Sequence, residues 1–142
     1  MKTCINFDEL IQIHQPQIEE MQRVGDSFAD PRTQAACLAF TGQVRLVEGA
    51  IRQTYREAVA MARRAADATE LAEIWQRMGG FCRVALQALA ALKDRYPHGG
   101  AAELYDLTLD YKIACDERHA EVMEEIACQS RKFPAGLFPE TI

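Results

Sequence analysis

Between residues 30 and 66 apolar side chains return at alternating intervals of three and four: Cys37, Phe40, Val44, Val47, Ile51, Thr54, Ala58, Met61 and Ala65. That spacing places them on one face of an α-helix, because 3.6 residues complete a turn. Asp30 is placed to cap this helix and Pro31 suits its first position, where a missing N–H costs nothing. A helix of about 35 residues spans about 50 Å at 1.5 Å per residue, so other long helices must flank it.

Three further segments carry the same period. Phe7, Ile11, His14, Ile18, Met21, Gly25 and Phe28 predict a first helix, with Asn6 and Glu9 spaced as a capping pair. Pro16 removes one intrahelical hydrogen bond, which predicts a kink there or a true start near Gln15; a turn follows over 26–31. A third helix begins at Asp67 or Thr69 and runs to about Tyr96. It turns Leu71, Ile74, Met78, Phe81, Ala85, Ala88 and Leu92 inward, and Trp75, Cys82 and Leu89 widen that face. Gly79 and Gly80 in its middle predict a tight helix crossing, or room for a bulky bound group. The Pro97 to Gly100 break ends it, with His98 a solvated loop residue. A fourth helix over 101–130 buries Leu104, Thr108, Tyr111, Cys115, His119, Val122 and Ile126 behind an acidic outer face.

Four helices with short connections define the expected fold class, an all-α up-down-up-down four-helix bundle over residues 1–130. The segment 131–142 contains two prolines and a glycine, so it is expected to be an irregular tail. Its Phe133, Leu137 and Phe138 are expected to lie across a groove of the bundle or to dock into a partner.

Composition narrows the function classes. A net charge of −5 across 142 residues, with basic residues interspersed among acids, predicts no nucleic-acid partner. The N-terminus turns acidic where a secretory leader would be apolar, and no apolar run approaches the ~18 residues a membrane span requires. A cytoplasmic location is the expectation. The five cysteines, Cys4, Cys37, Cys82, Cys115 and Cys128, include no C-x-x-C pair, which predicts free thiols acting as small core side chains.

Candidate chemistry is sparse. Counting rise along an up-down bundle puts His14 and His119 at one level, with Cys115 four residues before His119 on the same helical face and Met78 nearby. Such a His14, Cys115, His119 cluster is the candidate site for a soft metal or a haem. The paired Glu-x-x-His motifs of di-iron bundles are absent, and so are nucleophile-elbow, Walker and dinucleotide fingerprints. The expectation is therefore no cofactor, no catalytic residues and a non-enzymatic protein that works by protein–protein interaction or self-association, with a homodimer one form. The candidate contact residues are Gly42 and Gly49, in a small-residue row with Ala39, Leu46 and Gln53, together with the tail phenylalanines and Leu137. An ordinary contact with the first helix competes with a dimer seam as the reason for that row.

Residues 62–72, ARRAADATELA, carry a long amphipathic helix through a short acidic turn into another. In this the segment resembles the helical hairpin of phasins, which coat polyester storage granules. The likeness extends over about a third of the chain and implies, as an alternative, a granule-surface role.

Overall fold

The computed structural model describes residues 7–132, which form α1 (Phe7–Ser27), α2 (Gln34–Arg63), α3 (Ala68–Leu92) and α4 (Ala101–Lys132), with no strand among the described residues. The chain is an all-α four-helix bundle of alternating direction. The expected Asn6 cap and the tail over 133–142 lie outside the described residues.

Local chemistry moves several helix ends from their expected places. Thr33, not Asp30, caps α2: its hydroxyl accepts the Ala36 N–H at 3.1 Å. Asp30 instead accepts the Arg32 N–H at 3.0 Å and orders the turn before the helix. That backbone hydrogen bond, helped by the Arg32 side chain, holds the Asp30 carboxyl below its usual range. Asp67 caps α3 as expected, accepting the Glu70 N–H at 2.8 Å, while the Glu70 carboxylate accepts the Ala66 N–H at 3.1 Å. Helix α3 ends at Leu92 rather than Tyr96, and α4 continues past Ser130 to Lys132. Helix α1 runs unbroken through Pro16. Gln12, whose carbonyl loses its partner there, is exposed like Pro16 itself, so water can satisfy that oxygen.

The helices pair as two hairpins. Helix α1 packs on α2 and α3, α4 packs most extensively on α3 and more lightly on α2, and α2 touches α3; α1 and α4 share no contact. The core along their shared line holds Phe7, Ile18, Met21, Phe40, Ile51, Met78, Leu89 and Leu92, all essentially sealed from solvent. Thr54 and Thr108 are also fully buried, each hydroxyl donating to the carbonyl four residues earlier, at 2.7 and 2.6 Å.

The end where α1 stops is fastened by the α3–α4 connection. The Tyr96 hydroxyl donates to the Gly25 carbonyl at 2.9 Å, Arg95 Nε donates to the same oxygen at 3.1 Å, and another Arg95 nitrogen donates to the Phe28 carbonyl. These bonds satisfy carbonyls that a helix terminus leaves open. The Tyr96 ring stacks on Phe40 with centroids 4.2 Å apart. Gly100 reverses the chain at φ +84°, a region in which a side chain is strained.

Candidate functional site

The structure does not bring His14 to Cys115 and His119, and the reason is the missing α1–α4 contact. His14 faces α2, where its Nε2 hydrogen-bonds Gln53 Oε1 at 3.1 Å, and its Nδ1 is buried without a partner among the described residues. His119 lines a separate groove of about 230 Å³ on the α3–α4 side, with Gln76, Gly80, Arg83, Lys112 and Asp116. Among the described residues no group of three or more His, Cys, Asp or Glu side chains is placed to hold a metal ion. The level at which a metal layer was expected is filled by aromatic rings instead. Tyr55 stacks on Tyr111 at 4.1 Å and tilts against Trp75 at 6.4 Å, and the Arg118 guanidinium lies 5.2 Å from the Trp75 ring centre.

Cys115 has a different partner. It is fully buried against α3, where its sulfur accepts a hydrogen bond from the equally buried Cys82 thiol. That hydrogen bond, with burial second, pushes the Cys82 thiol far above the usual range. Gly79 allows the approach, since a Cβ there would meet Asp116 Oδ1 at 3.4 Å and the Cys115 Cβ at 3.7 Å. The tight crossing expected of the glycine pair is thus made by Gly79; Gly80 meets nothing and opens the groove beside it. Both thiols are buried and the reactive thiolate of Cys82 is disfavoured, so Cys82 and Cys115 are expected to resist iodoacetamide in the folded protein while exposed Cys128 is alkylated within minutes. Mass spectrometry of timed alkylation, with and without denaturant, checks this; native labelling of Cys82 at the rate of Cys128 would contradict it.

The small-residue row on α2 takes a position that neither packing with α1 nor a core role explains. Gly42 and Gly49 have open space where a side chain would stand, so the expected close contact with α1 is not made there. Leu38 is 65% exposed and Leu46 55% exposed on the same side. Arg45, Arg52, Arg56 and Arg63 share this outer face, repeating at intervals of seven, four and seven. Among the described residues Arg45, Arg56 and Arg63 have no ion-pair partner; Arg52 has only its own-helix Glu48, at 3.0 Å. A basic row therefore exists. Counting charges along the sequence hid it, because Glu57 turns to Arg64 and, among the described residues, only Glu48 reaches the row, at Arg52.

Helix α4 presents the opposite character. Leu109, Ile113 and Met123 stand out to solvent at 36%, 46% and 45% exposure, among Asp106, Asp110, Glu117, Glu121 and Glu124. Of these acids only Glu124 has an ion-pair partner among the described residues, a loose contact with Arg131 at 3.5 Å. The acidic face was foreseen; the apolar residues threaded through it were not, although Leu109, Ile113 and Ala120 recur at intervals of four and seven, a signal of a second seam. No described helix is long and apolar enough to cross a membrane. Phe133, Leu137 and Phe138 lie outside the described residues.

No protein-family model, curated protein or solved structure matches this chain.

Proposed function

We propose that this bundle is a non-enzymatic interaction module that works through the outer faces of α2 and α4. One observation carries the reading: large apolar side chains on both helices face solvent in rows, beside glycines that serve no internal contact. Single exposed apolar residues are ordinary on a protein surface, whereas aligned ones flanked by unpaired charge of one sign mark docking faces. The His14 Nε2 and the buried Cys82 and Cys115 thiols, by contrast, are each taken up by a contact within the chain.

The test uses full-length chain as bait in its source cell extract, beside the variants Leu46→Glu and Ile113→Glu. Both positions are exposed, so circular dichroism should be unchanged. Recovery of bound protein, whether other chains or tagged copies of this one, is expected to fall about tenfold in each variant. Equal recovery by all three baits would overturn the reading.

A further inference from the structure

Small side chains recur at the end of the bundle where α2 turns into α3: Ala58, Ala62, Ala65, Ala68 and Ala72. Helix α4 packs only lightly on α2, and such short side chains leave the space beside it unfilled. The result is a groove of about 330 Å³, at the lower end of the ~300–1,000 Å³ range of small-molecule sites. Val59 and Ala62 of α2, Leu71 and Trp75 of α3 and Val122 of α4 give it an apolar lining. Arg63, Arg118 and Glu121 line it too.

Two other grooves each hold an ion pair formed within the chain, Asp8 with Arg77 at 3.1 Å and Lys112 with Asp116 at 2.6 Å. This one holds none. Among the described residues Arg63, Arg118 and Glu121 have no ion-pair partner, and the contact Arg118 does make is with the Trp75 ring, 5.2 Å from its centre. An aromatic face attracts a cation but offers no lone pair to its N–H donors, so the guanidinium still lacks an acceptor. Two arginines against one glutamate leave a single excess positive charge beside an apolar floor.

We infer that this groove takes a small amphipathic carboxylate, its apolar body on Leu71, Trp75 and Val122 and its head against the Arg63 and Arg118 guanidiniums. A guanidinium grips a planar carboxylate through two parallel N–H bonds, and one negative charge cancels the excess positive one. A neutral apolar ligand leaves the arginines unmatched, and a bare anion gains nothing from the lining. The Trp75 contact holds the Arg118 guanidinium beside the groove before the ligand arrives, which lowers the ordering cost of binding. Neither Leu46 nor Ile113 lines this groove, so its test stands apart from that of the docking faces.

Trp75 is the sole tryptophan of the chain, so its emission reports on this groove. The full-length chain is titrated with octanoate, with octanol, which has the same body without the charge, and with acetate, which has the charge without the body. Octanoate is expected to shift the emission saturably with a dissociation constant of roughly 0.1–1 mM, in keeping with its small size. Octanol is expected to bind at least about tenfold more weakly, and acetate to produce no shift over the same range. Arg63→Gln and Arg118→Gln, both at exposed positions, should leave circular dichroism unchanged and each raise the octanoate dissociation constant about fivefold. Equal affinity for octanoate and octanol overturns the inference, as does octanoate binding that neither substitution weakens. An emission that no probe moves overturns it as well; if Phe138→Ala shifts it instead, the groove belongs to the C-terminal segment of the chain itself.

Discussion

Replacing Phe40 with alanine is expected to cost about 3–5 kcal/mol, at the upper end of that range. Its ring is completely buried, and it has no substitute: Tyr96 stacks on it at 4.2 Å, and Cβ atoms built at Gly25 and Gly99 would meet it at 3.2 and 3.0 Å. Helix α1 and the α3–α4 connection thus converge on one side chain of α2. Removing it leaves a cavity and lets Tyr96 move away from the Gly25 carbonyl, so the hydrogen bond that closes α1 is weakened too. A domain of this size has a net stability of only about 5–15 kcal/mol, so the variant loses a large share of it. Urea unfolding should show a lower midpoint with an unchanged slope. Leu38→Ala, at a 65% exposed position on the same helix, should change stability by less than about 0.5 kcal/mol. Equal effects at the two positions would show that the clamp at this end does not hold the bundle.

The second large effect is a coupled one. Leu92 is fully buried over Gly25, and a Cβ added at Gly25 would sit 2.6 Å from its Cδ2. Leu92→Ala should cost about 2–5 kcal/mol through the cavity it leaves. Gly25→Ala alone gains about 1 kcal/mol of helix propensity but overpacks against Leu92, and the clash at this distance outweighs the gain by about 1 kcal/mol. In the double variant the added methyl enters the space that leucine vacated. Its cost should therefore fall below the sum of the two single costs by at least 1 kcal/mol. Denaturant unfolding of the three variants checks this; strict additivity would show that Gly25 and Leu92 do not share a contact.

The number of helices and most of their inward faces were legible from periodicity. Ile74, Met78, Phe81, Ala85, Ala88 and Leu92 are all buried as their spacing requires. Periodicity says which face turns inward but not which helix it meets, and that is where the reading of chemistry failed. His14 and His119 were put at one level by counting rise along an up-down-up-down bundle. With no α1–α4 contact, His14 bonds Gln53 of α2 while His119 lines a groove between α3 and α4. Cys115 was grouped with His119 because they share a helical face, whereas its partner is Cys82 on the preceding helix, beside the close approach of the two helices at Gly79. The boundary errors have a local cause: Asp30 and Thr33 are both good caps, and Thr33 reaches the Ala36 N–H while Asp30 is taken up by the turn. Gly42 and Gly49 were noticed in the sequence, but only coordinates show that nothing lies over them.

The lack of any contact between the first and last helices has a consequence for how the chain assembles during synthesis. Each hairpin joins neighbours in sequence, so most pairings are local and form quickly. Yet the first hairpin cannot finish its own apolar side, because Phe40 and Gly25 are closed over by Leu92, Tyr96 and Gly99. Until residue 100 has left the ribosome, α1 and α2 must hold an oily surface open, and it is the arrival of the α3–α4 corner that seals it.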